Sequence, residues 1–116
     1  MDDKELLELA AEAAGLFVDD EFDVDGGIIV HSEEMSPQKL WNPLENDTDA
    51  FRLAVKLNLH VQIDFDDKDI NAVTVYGAYF ADEAIEEFGE PNAATRRAIV
   101  RAAAEIAKTN NRHGLT

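Results

Sequence analysis

At 116 residues, 46% of them hydrophobic, the chain has the size of a single domain spanning 1–116 and too much apolar content for a disordered polymer. It has no cysteine, which excludes disulfides, thiolate catalysis and cysteine-based metal centres and fits a reducing, cytoplasmic setting. Its formal net charge of −15 opposes direct contact with nucleic acid or anionic membranes and suits a basic protein partner.

Met1-Asp2-Asp3-Lys4-Glu5 is acidic and runs into an amphipathic segment, unlike a secretion signal. Residues 3–14 read as a first helix, with Leu6, Leu9, Ala10, Ala13 and Ala14 on one stripe and Glu5, Glu8 and Glu12 opposite. Gly15 is a natural stop. Val18, Asp20, Phe22 and Val24 share a parity with acids between them, and Asp25-Gly26-Gly27 offers positive-φ turn residues before Ile28-Ile29-Val30, so a first hairpin is expected. Residues 32–47, with Pro37 and Pro43, read as a polar connection. Asp47 or Thr48 can cap a second helix through about Leu57, its buried stripe Ala50, Leu53, Ala54 and Leu57, with Arg52 and Lys56 outside.

Leu59, Val61, Ile63 and Phe65 alternate with polar residues as a strand, and Asp66-Asp67-Lys68-Asp69 turns the chain into a return strand through Val73, Val75 and Tyr76. Residues 78–88 fit either a short helix or a strand containing Ile85; Gly89 and Pro91 would cut a helix short, which favours the strand. Pro91 and Asn92 open a last helix to about Thr109, with Thr95, Ile99, Ala102, Ala103 and Ile106 on its apolar side and 110–116 a frayed tail. The predicted fold is therefore α+β: an antiparallel sheet of four or five strands packed with three helices, in the order α-β-β-α-β-β-(β)-α. Leu53, Leu57, Ile63, Val75, Ile99 and Ile106 are its expected core.

Trp41-Asn42-Pro43-Leu44, the helix from Asp49-Ala50-Phe51-Arg52 to Leu57, and Ala93-Ala94-Thr95-Arg96-Arg97-Ala98-Ile99-Val100-Arg101-Ala102-Ala103 occur here in order, after a helix and a Gly-Gly hairpin. In this combination the chain resembles, over nearly its whole length, the phage ABA sandwich domain family, small proteins of tailed phages and prophages. The resemblance implies α/β/α layering and a phage accessory role. It brings no catalytic residue to any position.

Glu21, Asp23 and Asp25, followed by Gly26 and Ile28, imitate the start of a calcium loop, but position 12 is Ser32 and Glu33 falls one place late, so an acidic hairpin is the stronger reading. Asp64–Asp69 has neither the glycine nor the closing glutamate of such a loop. His31, His60 and His113 show no ligand spacing, and Ser32, Ser36, Thr48 and Thr95 have no nucleophile-elbow context. No cofactor and no enzymatic activity are expected.

Trp41, the sole tryptophan, suits either a plug at a sheet or helix end or an interaction anchor. Charge is uneven: residues 1–90 hold 24 acids against 5 bases, and residues 91–116 hold 1 acid against 5 bases. Arg97 and Arg101 share a face of the last helix, where they can pair with the molecule's own acids or meet an acidic partner. The expected function is protein–protein binding by a phage accessory protein, with an inhibitor or nucleic-acid mimic aimed at a basic host protein as its sharper form. A virion assembly role or a homodimer is the alternative, and a small metal protein the remaining one.

Overall fold

The computed structural model describes residues 2–19, 25–32, 38–66, 69–76, 83–85 and 91–112, with side chains described for 2–19, 25–32, 38–62, 75 and 92–110. Among the described residues three helices and six strands follow in the order α1 (Asp3–Ala13), β1 (Phe17–Val18), β2 (Ile28–His31), β3 (Lys39–Trp41), α2 (Asp47–Lys56), β4 (His60–Asp66), β5 (Asp69–Tyr76), β6 (Glu83–Ile85) and α3 (Pro91–Arg112). The α+β class and the antiparallel pairing are those expected, and the element order matches apart from one extra strand. The strands divide, however, between two three-stranded sheets, β1-β2-β3 and β4-β5-β6.

The extra strand is β3, in the stretch expected to be a polar connection. Ile28 pairs with Trp41, Ile29 with Leu40 and Val30 with Lys39. Three residues with alternating sides suffice to pair, and Pro43 then ends the ladder. In the second sheet, β4 and β5 pair from His60↔Tyr76 to Asp66↔Asp69 with a bulge at Asp64/Phe65. Residues 83–85 are a strand on β5, the alternative favoured for 78–88.

Both early helices end in the same way. Gly15, at φ 77°, follows α1, with Gly15 N–H donating to Glu12 O and Leu16 N–H to Ala11 O. Asn58, at φ 53°, follows α2, with Asn58 N–H donating to Val55 O and Leu59 N–H to Ala54 O. These are Schellman turns, which satisfy the last carbonyls and swing the chain into a strand. At the start of α2 the cap is Asn46 rather than Asp47 or Thr48: its side chain accepts from Asp49 N–H at 2.9 Å. The helix begins one residue earlier than its polarity pattern suggests because asparagine serves the cap equally well.

The core centres on α3, which packs against α1, α2 and the β4-β5-β6 sheet. Ala94, Ala98, Ile99, Val100, Ala102, Ala103, Ala104, Ile106 and Ala107 are all buried, so this helix is covered on several sides, not along a single stripe. Alanine at so many positions lets neighbours come close. On α1, Leu7 and Ala11 are buried and Leu9 and Ala13 only half-buried, a small rotation of the expected stripe towards α3. Of the expected core, Leu53, Val75, Ile99 and Ile106 are buried, Leu57 is half-buried at the helix cap, and the Ile63 side chain lies outside the described residues. The last helix continues through Arg112, beyond the expected fraying point at 110.

Candidate functional site

Two grooves flank α2. The first, about 710 Å³, lies between the end of α1, β3 and α2. The Schellman turn at Gly15 brings Ala13 and Leu16 to one wall. The register of β2 with β3 sets Trp41 and Lys39, two residues apart, on the side of Ile28 and Val30. Helix α2 contributes Asp49, Arg52, Leu53 and Lys56, spaced at three and four residues so that they share a face. Lys39 Nζ stands 3.8 Å from Asp49 Oδ1, and Asp49 Oδ2 accepts the Asn42 N–H at 3.0 Å.

Asn42 holds the corner. Its amide donates to Gly26 O at 3.0 Å, its side-chain oxygen accepts Leu44 N–H at 3.1 Å, and its carbonyl accepts from Glu45 and Asn46. One residue thereby ties the Gly-Gly turn to the start of α2. This gives the Trp-Asn-Pro-Leu segment a structural reason.

The second groove, about 680 Å³, lies on the other side of α2, between it, the start of β4 and α3. Phe51, Val55 and Val61 border it and are 69%, 63% and 38% exposed. Arg96 closes one end: its Nε donates to Leu44 O at 2.8 Å and its guanidinium meets Asp47 Oδ1 at 2.7 Å. A smaller apolar surface lies on the outer side of the first sheet, where Phe17 and Leu40 are each about half exposed. There His31 Nδ1 is 3.0 Å from Asp19 Oδ2, which also accepts from Gln38 at 2.6 Å, and the Phe17 ring stacks on the imidazole. An ionised carboxylate only accepts, so Nδ1 carries the proton in this pair.

The expected interaction residues separate. Trp41 is 4% exposed, a core residue backing the first groove and not a protruding anchor. Arg97 pairs with Asp3 on α1 at 3.1 Å, the intramolecular partner considered from the sequence, and Arg101 is half-buried on the same helix. Of the weak metal candidates, Asp25 is exposed in its turn, while Glu21 and Asp23 lie outside the described residues. Among the described residues no group of three His, Asp or Glu side chains could hold a metal ion, and no helix is long and apolar enough to cross a membrane.

Sequence reasoning passed over Lys39, Phe51, Arg52, Val55 and Lys56. A signal for the apolar pair was present: Phe51 and Val55 are four apart and lie off the stripe of Ala50, Leu53, Ala54 and Leu57. No family model, curated protein or solved structure matches the chain.

Proposed function

We propose that this is a phage accessory protein that acts by binding another protein and not by catalysis. The observation that carries the reading is the apolar surface of Phe51, Val55 and Val61 around the second groove. Large apolar side chains grouped on one helix face and an adjoining strand mark contact surfaces, whereas scattered ones do not. The phage setting rests on the family resemblance. The acid surplus favours a basic partner by speeding encounter and rejecting acidic competitors. In its sharper form, the acidic surface stands in for nucleic acid on a basic groove of a host defence or transcription protein in the host cytoplasm.

Affinity capture from bacterial host lysate tests this with the wild type and a Phe51→Ser/Val55→Ser variant. A basic protein should be retained at about 150 mM salt, weakened at higher salt as screening grows, and lost with the variant. No capture at either salt, or capture indifferent to the variant, would overturn the reading. The same apolar surface also suits a subunit contact in a virion. Mass spectrometry of purified virions separates the two: presence supports assembly, and absence supports an intracellular partner.

A further inference from the structure

A chain with 25 acidic and 10 basic residues turns three of its bases into one cavity. Lys39 enters the first groove from β3, and Arg52 and Lys56 enter it from α2. The last two are one helical turn apart, where like charges repel. No hydrogen bond or ion pair joins either of them to a carboxylate among the described residues. The acid in the groove, Asp49, is 13% exposed and engaged at the back, where it accepts the Asn42 amide and holds Lys39. It therefore orients one cation, and among the described residues the lining holds three bases against this one acid.

At physiological ionic strength charges are screened over about 8 Å, so acids beyond that range contribute little while the lining cations act at contact range. Apart from Ser32, the remaining wall is apolar and includes Ala13, Leu16, Trp41 and Leu53. A volume of about 710 Å³ lies within the roughly 300–1,000 Å³ of small-molecule sites. Lysine and arginine over an apolar floor match a ligand with a charged head and an apolar body.

We propose that this groove binds a small organic anion, its carboxylate or phosphate-ester head held by Lys39, Arg52 and Lys56 and its apolar body laid along Leu16 and Trp41. The site stands on the other side of α2 from the apolar surface assigned to the protein partner, and it does not depend on that assignment.

Trp41 provides the readout, since it is the sole tryptophan and lines the groove. Its fluorescence is followed during titration with octyl phosphate, octanoate, 1-octanol and inorganic phosphate, the amphiphiles below their micelle-forming concentrations. Octyl phosphate and octanoate should give saturable changes, with 1-octanol and inorganic phosphate weaker by about tenfold or more, because each lacks half of the ligand. Arg52→Gln and Lys56→Gln replace exposed side chains and should melt as the wild type does while each weakens octyl phosphate by about fivefold or more. Lys108→Gln on α3 and Phe51→Ser/Val55→Ser should leave that affinity unchanged. Octanol binding as tightly as octyl phosphate, or wild-type affinity in both the Arg52 and Lys56 variants, would overturn the proposal. So would an acidic peptide that displaces octyl phosphate at much lower concentration, which would assign the groove to a protein segment instead.

Discussion

Gly27 and Asn42 show how much of the first sheet depends on single side chains. Gly27 has φ 140°, and a Cβ there would stand 2.5 Å from the Trp41 carbonyl oxygen. Gly26 has φ 80° with nothing near its missing Cβ. Gly27→Ala is therefore expected to cost at least about 2 kcal/mol and Gly26→Ala only about 1 kcal/mol, the latter being backbone strain alone. Urea denaturation of the pair checks the order, and equal losses would mean that the β2–β3 approach relaxes easily. Asn42→Asp keeps the size but turns a donor into an acceptor facing Gly26 O, so it should destabilise by about 1–3 kcal/mol, as Asn42→Ala should. Burial makes a further contrast. Ile99→Ala removes a buried side chain from the centre of α3 and should cost about 2–5 kcal/mol, whereas Phe51→Ser at an exposed position should change stability by less than about 0.5 kcal/mol.

Helix α2 is short, yet both its ends are built with care: Asn46 caps the first turn and the Asn58 turn closes the last. Arg96 of α3 adds a polar tie to its start, reaching Leu44 O and Asp47. Arg96→Lys keeps the charge but cannot make both contacts at once, so it should lose most of the stability that Arg96→Ala loses. A lysine variant as stable as the wild type would show that charge alone matters. The Arg97–Asp3 pair joins α3 to α1 in a partly exposed place, where ion pairs contribute less than about 1 kcal/mol. Arg97→Glu with Arg101→Glu removes the pair with Asp3, sets a new acid beside it and should lower the melting temperature, more so at low salt. Melting unchanged at both ionic strengths would show that the contacts of Arg97 and Arg101 contribute nothing measurable to stability.

Across the whole molecule, the net charge of −15 sets the response to salt. Like charges repel in the compact state, so raising salt from about 20 to about 200 mM should raise the melting temperature. A fall over that range would mean that attractive pairs such as Arg96–Asp47 and Arg97–Asp3 outweigh the general repulsion. The acidic hairpin is tested separately by calorimetric titration with calcium, for which no heat of binding is expected because Ser32 stands where the loop needs a bidentate glutamate. A stoichiometric signal would restore Glu21, Asp23 and Asp25 as ligands.

By itself the sequence determined most of the element types: the helix periods, the alternation from Leu59 to Phe65 and the stop at Gly15 all follow from local backbone preference and spacing, while 78–88 only leans to a strand and Lys39–Trp41 reads as connection. It also determined that Leu53, Val75, Ile99 and Ile106 belong inside, since each lies on the apolar phase of its own element. Only the tertiary structure decided that β3 pairs with β2, that the strands divide into two sheets, and that α3 is enclosed on several sides. Those are contacts between segments far apart in the chain, and local periodicity carries no record of the partner. The same holds for the groove of Lys39, Arg52 and Lys56. On the sequence they are ordinary bases, one in a polar connection and two on the outer side of a helix. They become a cavity lining only because the turn at Gly15 and the Asn42 corner bring α1, β3 and α2 around one space.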